Sequence, residues 1–292
     1  MLVTMKEIVD AAREGHYCVP APNYNDATQM YAALDAAEEA KSPVILDIGR
    51  FFGTEDREAF IDLCQTSRRA AERASVPVAI NLDHGAKYEH IVQSMVDGCT
   101  SVMADRSGLP YEENVAQVSE LARVAHALGV SIEAELGHVG TNEDGKALDG
   151  LQHHVETEEE KRALYTNPDQ AVEYVATTGI DCLAVAVGTV HGFYPEGFVP
   201  SVDFELLAEL REKVPVPLVI HGGSGSGDEI LKGLAPYASK LNVGHDLFKA
   251  FGDGIAEAVQ SGSGEDPVVA GCKAYTAELV HYMTVLGSVG KA

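Results

Sequence analysis

The chain has 292 residues, 46% of them hydrophobic, and 45 acidic against 21 basic side chains give a formal net charge of −24. That length suits one large barrel or two ordinary domains, and the apolar content can bury a sizeable core. The negative balance excludes nucleic acid and anionic membranes as partners, since both are met by a basic face, and any anionic substrate must be held by local devices against a repulsive overall field. Thr4 opens a short helix: it can cap, Glu7 stands three residues on, and Ile8, Val9 and Ala12 give one apolar face before Gly15 ends it. Strand-like and helix-like patterns then alternate. Strands are expected at Tyr17–Ala21, Pro43–Ile48, Pro77–Leu82, Thr100–Ala104, Ser131–Leu136, Cys182–Val187, Pro217–Ile220 and Lys240–Val243. Helices are expected at Thr28–Ala40, Asp56–Ala74, Tyr88–Asp97, Glu112–Leu128, Pro168–Thr178, Phe204–Lys213, Asp228–Leu234 and Asp246–Val259.

Eight strands, each followed by a helix and each a continuous apolar run, indicate a parallel sheet buried on both faces. The expected fold is an α/β (β/α)8 TIM barrel with extra N- and C-terminal helices, a single domain over residues 1–292. A doubly wound open sheet is the alternative. Polar residues separate the two: Asp83, His84, Asp105, Glu135, His191, His221 and Asn242 stand at or near the C-terminal ends of different strands. In a barrel those ends converge on one mouth; in an open sheet they spread along an edge.

The apolar runs are too short to span a membrane, and Met1-Leu2-Val3-Thr4-Met5-Lys6 lacks the pattern of a secretory signal, so a cytoplasmic location is expected. Five scattered cysteines, mostly inside apolar runs, read as buried free thiols. Two segments break the regular alternation. One is the connection from Gly137 to Asn167, whose stretch 147–162 is charged and without an apolar face; it reads as a charged surface excursion in its second half or as a mobile cover carrying specificity. The other is a tail helix from about Val269, of the kind that serves oligomerisation or covers a neighbour's site.

Three apolar runs end in His-Gly, at His84, His191 and His221. Three imidazoles at one barrel mouth match a catalytic zinc site with one open position. Asp83 precedes a ligand and can face substrate. Glu133 and Glu135 alternate on one strand and point the same way, and a buried carboxylate there is costly unless it is paired or metal-bound. Glu143 and Asp144 sit on a Gly-flanked loop suited to a mobile acid or base. The run Gly222-Gly223-Ser224-Gly225 offers amides to an anion, and with Asn242-Val243-Gly244-His245 it occupies the place after strands seven and eight where barrels often bind phosphate. A metal beside a phosphate clamp fits polarising a carbonyl in a phosphorylated sugar while carboxylates move the protons.

Together these segments, with Leu109-Pro110-Tyr111-Glu112-Glu113-Asn114, Glu133-Ala134-Glu135-Leu136-Gly137 and Tyr165-Thr166-Asn167-Pro168, resemble class II, zinc-dependent ketose-bisphosphate aldolases of the fructose- and tagatose-bisphosphate type. The resemblance implies a zinc-dependent lyase that cleaves a ketose phosphate to dihydroxyacetone phosphate and an aldehyde. His84, His191 and His221 match the zinc ligands; Asp105 and Glu135 match an alternative metal site. Asp83 matches the residue handling the C4 hydroxyl proton, and Glu143 the one exchanging a proton at C1. Asn23, Gly192, Gly222, Gly223, Ser224, Asn242, Gly244 and His245 fall in the substrate, phosphate and monovalent-cation (sodium or potassium) region. The family implies a homodimer or homotetramer. A metal-dependent sugar-phosphate isomerase or epimerase and a non-catalytic phospho-ligand-binding barrel are the alternatives.

Besides the active-site loop Gly140–Asp144, which lacks a usual second Gly, and Pro22-Asn23 with Asp26 in place of a Phe-Asn pattern and a second asparagine, three departures from the family pattern concern the phosphates. The phosphate turn has Gly244-His245 where Ala-Thr is usual. A Ser or Thr usual after the second strand is Gly49, and an Arg usual after Asp-Pro near the C-terminus is Val268. These imply no full site for a second phosphate and an acceptor other than glyceraldehyde 3-phosphate, with Arg50 and Arg106 as candidate replacements.

Overall fold

The computed structural model describes residues 1–49, 57–137, 139, 164–190, 201–262 and 264–292. Eight parallel strands close into a barrel in sequence order: β1 (Val19–Tyr24), β2 (Val44–Ile48), β3 (Val78–Gly85), β4 (Ser101–Ala104), β5 (Ser131–Leu136), β6 (Cys182–Val185), β7 (Leu218–Ile220) and β8 (Lys240–Val243). The open-sheet alternative is excluded by the pairing of β1 with β8. Helices α1 (Met5–Gly15), α2 (Ala27–Ala40), α3 (Arg57–Arg73), α4 (Tyr88–Asp97), α5 (Tyr111–Ala127), α6 (Pro168–Thr178), α7 (Phe204–Lys213), α8 (Asp228–Leu234), α9 (His245–Ser261) and α10 (Pro267–Val285) complete the described elements.

Two apolar layers follow from the alternation of side chains along each strand. Outward residues such as Leu46, Ile48, Ile80, Val102, Ile132 and Leu183 pack against the helices. Inward residues Val19, Ala21, Ile45, Ala79, Met103, Cys182, Ala184 and Val219 fill the lower barrel together with Met5, Ile8, Val9 and Ala12 of α1. A capping box between Thr4 and Glu7 starts α1 as the sequence indicates. The helix therefore plugs the N-terminal end of the barrel, and chemistry is left to the opposite mouth.

The first strand lies three residues beyond the expected Tyr17–Ala21 in its ending, at Tyr24. Val19 donates its N–H to the Ser239 carbonyl beside β8. By alternation, Pro20 and Pro22 stand where donors to β2 would be, and the β1–β2 register begins only at Asn23↔Asp47. All five cysteines are free thiols. The tail helix α10 packs on its own barrel: Tyr275 donates to the Asn23 carbonyl at 2.8 Å and Tyr282 to Asp246 Oδ2 at 2.6 Å. No described helix is long and apolar enough to cross a membrane.

Candidate active site at the barrel mouth

Towards its C-terminal end the barrel interior turns polar. Asn23, Asp47, Asn81, Asp83, Glu133, Glu135, Lys240 and Asn242 continue the inward alternation, with His221 just past β7, and all but Asn23 are buried. The ladder between β3 and β4 shifts between Leu82 and Gly85, and His84 takes a left-handed backbone with φ of 48°. Such strain in a non-glycine residue persists only where the surroundings impose it. Here Gly85 is pressed so close to the Met103 carbonyl that a Cβ would lie 2.6 Å from it.

The turned ring of His84 meets His221 edge-on, at 4.8 Å between centroids and 82° between planes. His84 Nδ1 is 2.9 Å from Asp105 Oδ2, and His221 Nε2 is 2.8 Å from Glu133 Oε1. A carboxylate accepts and does not donate, so each of those nitrogens carries the hydrogen. That leaves His84 Nε2 and His221 Nδ1 facing each other at 3.0 Å. Two imidazole nitrogens converging on one point, each ring oriented from behind by a carboxylate, form the donor arrangement of a divalent metal. At ligand distances of about 2.0–2.1 Å, two nitrogens on one tetrahedral zinc stand roughly 3.4 Å apart, close to the spacing seen. The ligand atoms of Asp83, His84 and His221 fall within 4.8 Å of one another, and so do those of His84, Asp105 and Glu135.

The electrostatics say the same. Burial pulls the His84 pKa down, yet Asp83, Asp105 and Glu135 together push it up to about 9. Burial, then the charge of Asp105, raises Glu135 to about 7. For Asp105, hydrogen bonds from His84 and Ser107 outweigh burial and hold its carboxyl well below the usual range. The cluster has more negative charge than the protein balances and takes up protons in its place. A divalent cation fits that deficit.

A family model for class II fructose-bisphosphate aldolases matches residues 3–291. The chain belongs to the class II fructose-bisphosphate aldolase family. It is therefore a lyase of a metal-dependent family that acts on phosphorylated sugars. Among its relatives, the fructose-bisphosphate aldolase of Geobacillus stearothermophilus is 37% identical over all of this chain and 99% of its own length. That of Thermus caldophilus is 38% identical over 88% of this chain and 82% of its own. Among solved structures, the YdjI aldolase of Escherichia coli K12 superposes with a TM-score of 0.85 at 33% identity, covering all of both chains.

In this aldolase the structure brings together Asp83, His84, Asp105, Glu135 and His221. Arg50, His191, Gly192, Glu143 and Asp144, and the stretch 147–162, lie outside the described residues. Asn23 and Asn242 both turn their amides to Asp83: Asn23 Nδ2 donates to Oδ2 at 2.9 Å and Asn242 Nδ2 to Oδ1 at 3.0 Å. Burial opposes ionisation of Asp83, but the charges of His84, His221 and Lys240 and the Asn23 amide hold its pKa below the ordinary value.

Past β7, Gly222 has φ of 72°, and a Cβ there would collide with the Val190 carbonyl, so only glycine lets this turn pass. Ser224 Oγ accepts from Gly244 N at 3.3 Å and Asp246 N at 3.4 Å, which ties the β7 turn to the start of α9. Gly223 rests on Leu241, and His245 is the first residue of α9, whose amino end opens at this turn. Arg106 does not reach for a substrate. Its buried guanidinium donates to the Gly85 and Asp105 carbonyls and to Gln117 Oε1.

Three inward residues escaped the sequence reading: Asp47, Asn81 and Lys240, all fully buried. A signal was present. Lys240 lies two before Asn242 and Asp47 two before Gly49, on the same alternation that marks the mouth.

Proposed function

We propose that this aldolase reversibly cleaves a ketose 1-phosphate into dihydroxyacetone phosphate and an aldehyde, with zinc held by His84, His221 and His191. The observation that carries the reading is the pair of imidazole nitrogens 3.0 Å apart, each ring fixed by a carboxylate behind it. Three nitrogen donors with one position left open suit zinc among the divalent ions. A bound ion supplies Lewis-acid polarisation of the substrate carbonyl. Asp83 accepts the C4 hydroxyl proton as the carbon–carbon bond breaks, its two oxygens aimed by Asn23 and Asn242 with lone pairs left over for the hydroxyl. Glu143 exchanges the proton at C1. The turn Gly222–Ser224, with Gly192, Gly244 and His245 and a sodium or potassium ion, receives the phosphate at the amino end of α9.

Elemental analysis of carefully purified protein is expected to find about one divalent ion per chain, and a chelator is expected to abolish cleavage until zinc is returned. Protein that carries no divalent ion and is not revived by zinc removes this reading.

We further propose that the aldehyde carries no phosphate. Gly49 offers no side-chain donor, Val268 is a half-exposed apolar residue in the first turn of α10, and Arg106 is committed to backbone carbonyls. Each charge-assisted hydrogen bond to phosphate contributes about 1.5–3 kcal/mol, so two missing donors weaken a bisphosphate by about 10²-fold or more. The ratio of kcat/KM for fructose or tagatose 1,6-bisphosphate to that for the matching ketose 1-phosphate is expected to stay below about ten, or roughly 1.4 kcal/mol. Among the described residues a Cβ at Gly49 would meet only Asn23 Nδ2, at an ordinary 3.4 Å. Gly49→Ser therefore fits and is expected to raise that ratio about tenfold by restoring one donor. A ratio already well above ten in the unmodified enzyme makes it an ordinary bisphosphate aldolase.

A further inference from the structure

One layer beneath the mouth lies a buried lysine to which the reaction above gives no part. Lys240, fully buried at the start of β8, places its ammonium 2.6 Å from Asn242 Oδ1, 3.0 Å from Glu133 Oε2 and 3.3 Å from Asp47 Oδ2. Two of its hydrogens are given to Asn242 and Glu133, and Asp47 Oδ2 meets the ammonium as an ion pair only. Asn81 donates to the other Asp47 oxygen at 2.8 Å. A barrel interior is ordinarily filled by branched apolar side chains, and a buried ion pair seldom stabilises more than they do. The set therefore calls for a role other than stability.

Two contacts of Lys240, those to Asn242 and Glu133, lead one residue further, to the mouth. An ammonium donates and never accepts, so Asn242 must present its carbonyl oxygen to Lys240. Its N–H₂ is then the end that faces Asp83, and the carboxylate meets a donor. By taking Glu133 Oε2, Lys240 likewise leaves Oε1 as the acceptor for the His221 Nε2–H, which keeps the lone pair of that ring on Nδ1, towards His84. We propose that Lys240 is a positioning residue for the aldol reaction, setting through Glu133 the tautomer of His221 and through Asn242 the donor that aims Asp83. This rests on the metal and proton roles given above to His221 and Asp83.

The test is the zinc affinity of the metal-free protein, measured by competition with a chromogenic chelator, in Glu133→Gln and in Glu133→Gln combined with Lys240→Met. In Glu133→Gln the lysine forces the new amide to give its oxygen to Lys240 and its N–H₂ to His221. The ring hydrogen then moves to Nδ1, and zinc affinity is expected to fall about 10–100-fold. Removing Lys240 as well frees the amide to turn its oxygen to His221, and affinity is expected to recover at least half of that loss on a logarithmic scale. The double variant removes one charge of each sign, so it does not depend on Lys240→Met folding alone. It is also expected to slow cleavage about tenfold relative to C1 proton exchange, a split absent from Glu133→Gln, because only there is Asn242 released. Losses that add, or equal falls in cleavage and exchange, overturn the role of Lys240. Unmodified protein that binds no zinc removes the underlying metal reading instead.

Discussion

Asp83→Ala is expected to slow carbon–carbon cleavage by about 10²–10⁴-fold, the range for an acid–base residue, while proton exchange at C1 of dihydroxyacetone phosphate persists. Glu143→Ala is expected to do the reverse, abolishing detritiation at C1 and leaving zinc bound. The asymmetry follows from where the two carboxylates stand. Asp83 is rooted in β3, and both of its oxygens are gripped by the amides of Asn23 and Asn242. It cannot swing to a second proton. A residue fixed in this way serves one position of the substrate, and the other proton needs a different group. Taking Asp83 away also leaves the buried Asn242 amide without its acceptor, at about 1–3 kcal/mol, while the part-exposed Asn23 amide can turn to water. Rates should therefore be compared on protein whose folding is verified by circular dichroism, with Asp83→Asn as the less disruptive partner. Equal loss of both partial reactions in either variant would mean that the two roles are misassigned.

How far the sequence led depends on how local the signal was. The strands from β2 to β8 are continuous apolar runs whose burial on both faces is a local property, and the structure places them within a residue or two of expectation, apart from β3, which runs three residues further, to Gly85. The acid and histidine residues at the mouth were legible because a polar residue following an apolar run marks a strand end. The first strand was misplaced because Val-Pro-Ala-Pro-Asn-Tyr reads as a broken run. The barrel tolerates it: the two prolines fall on the side facing β2, where pairing starts only at Asn23. Lys240 and Asp47 were passed over for a different reason. A lysine opening a strand and an aspartate near the end of one look like boundaries exposed to water. Only closure of the barrel brings β2, β5 and β8 to face one another, and it buries Lys240 against Asp47 and Glu133. Asn23 and Asn242 were assigned to substrate by resemblance, and their grip on Asp83 lay equally beyond any linear pattern.

Closure also fixes how the metal should respond to pH. Metal affinity is expected to climb about tenfold per pH unit between pH 7 and 9, more steeply below 7, and to level off above 9. In the metal-free cluster His84 holds its proton up to about 9, and Glu135 holds its own up to about 7. A metal ligand must be deprotonated, so below pH 9 each ion displaces one proton from His84. Below pH 7 a second proton, on Glu135, stands within the same cluster of donors. The sign is fixed by the raised values: lowering the pH favours the protonated, metal-free form, and affinity falls. From pH 9 to pH 6 the loss amounts to about 10³-fold or more if both protons are displaced. Chelator competition across that range measures the slope. Adding zinc to weakly buffered metal-free protein at pH 8 should release about one proton per ion. His84→Ala is expected to remove tight binding and the proton release together. Tight binding that does not vary from pH 6 to 9 would mean that His84 is already neutral without the ion, and that the carboxylates around it do not demand a cation.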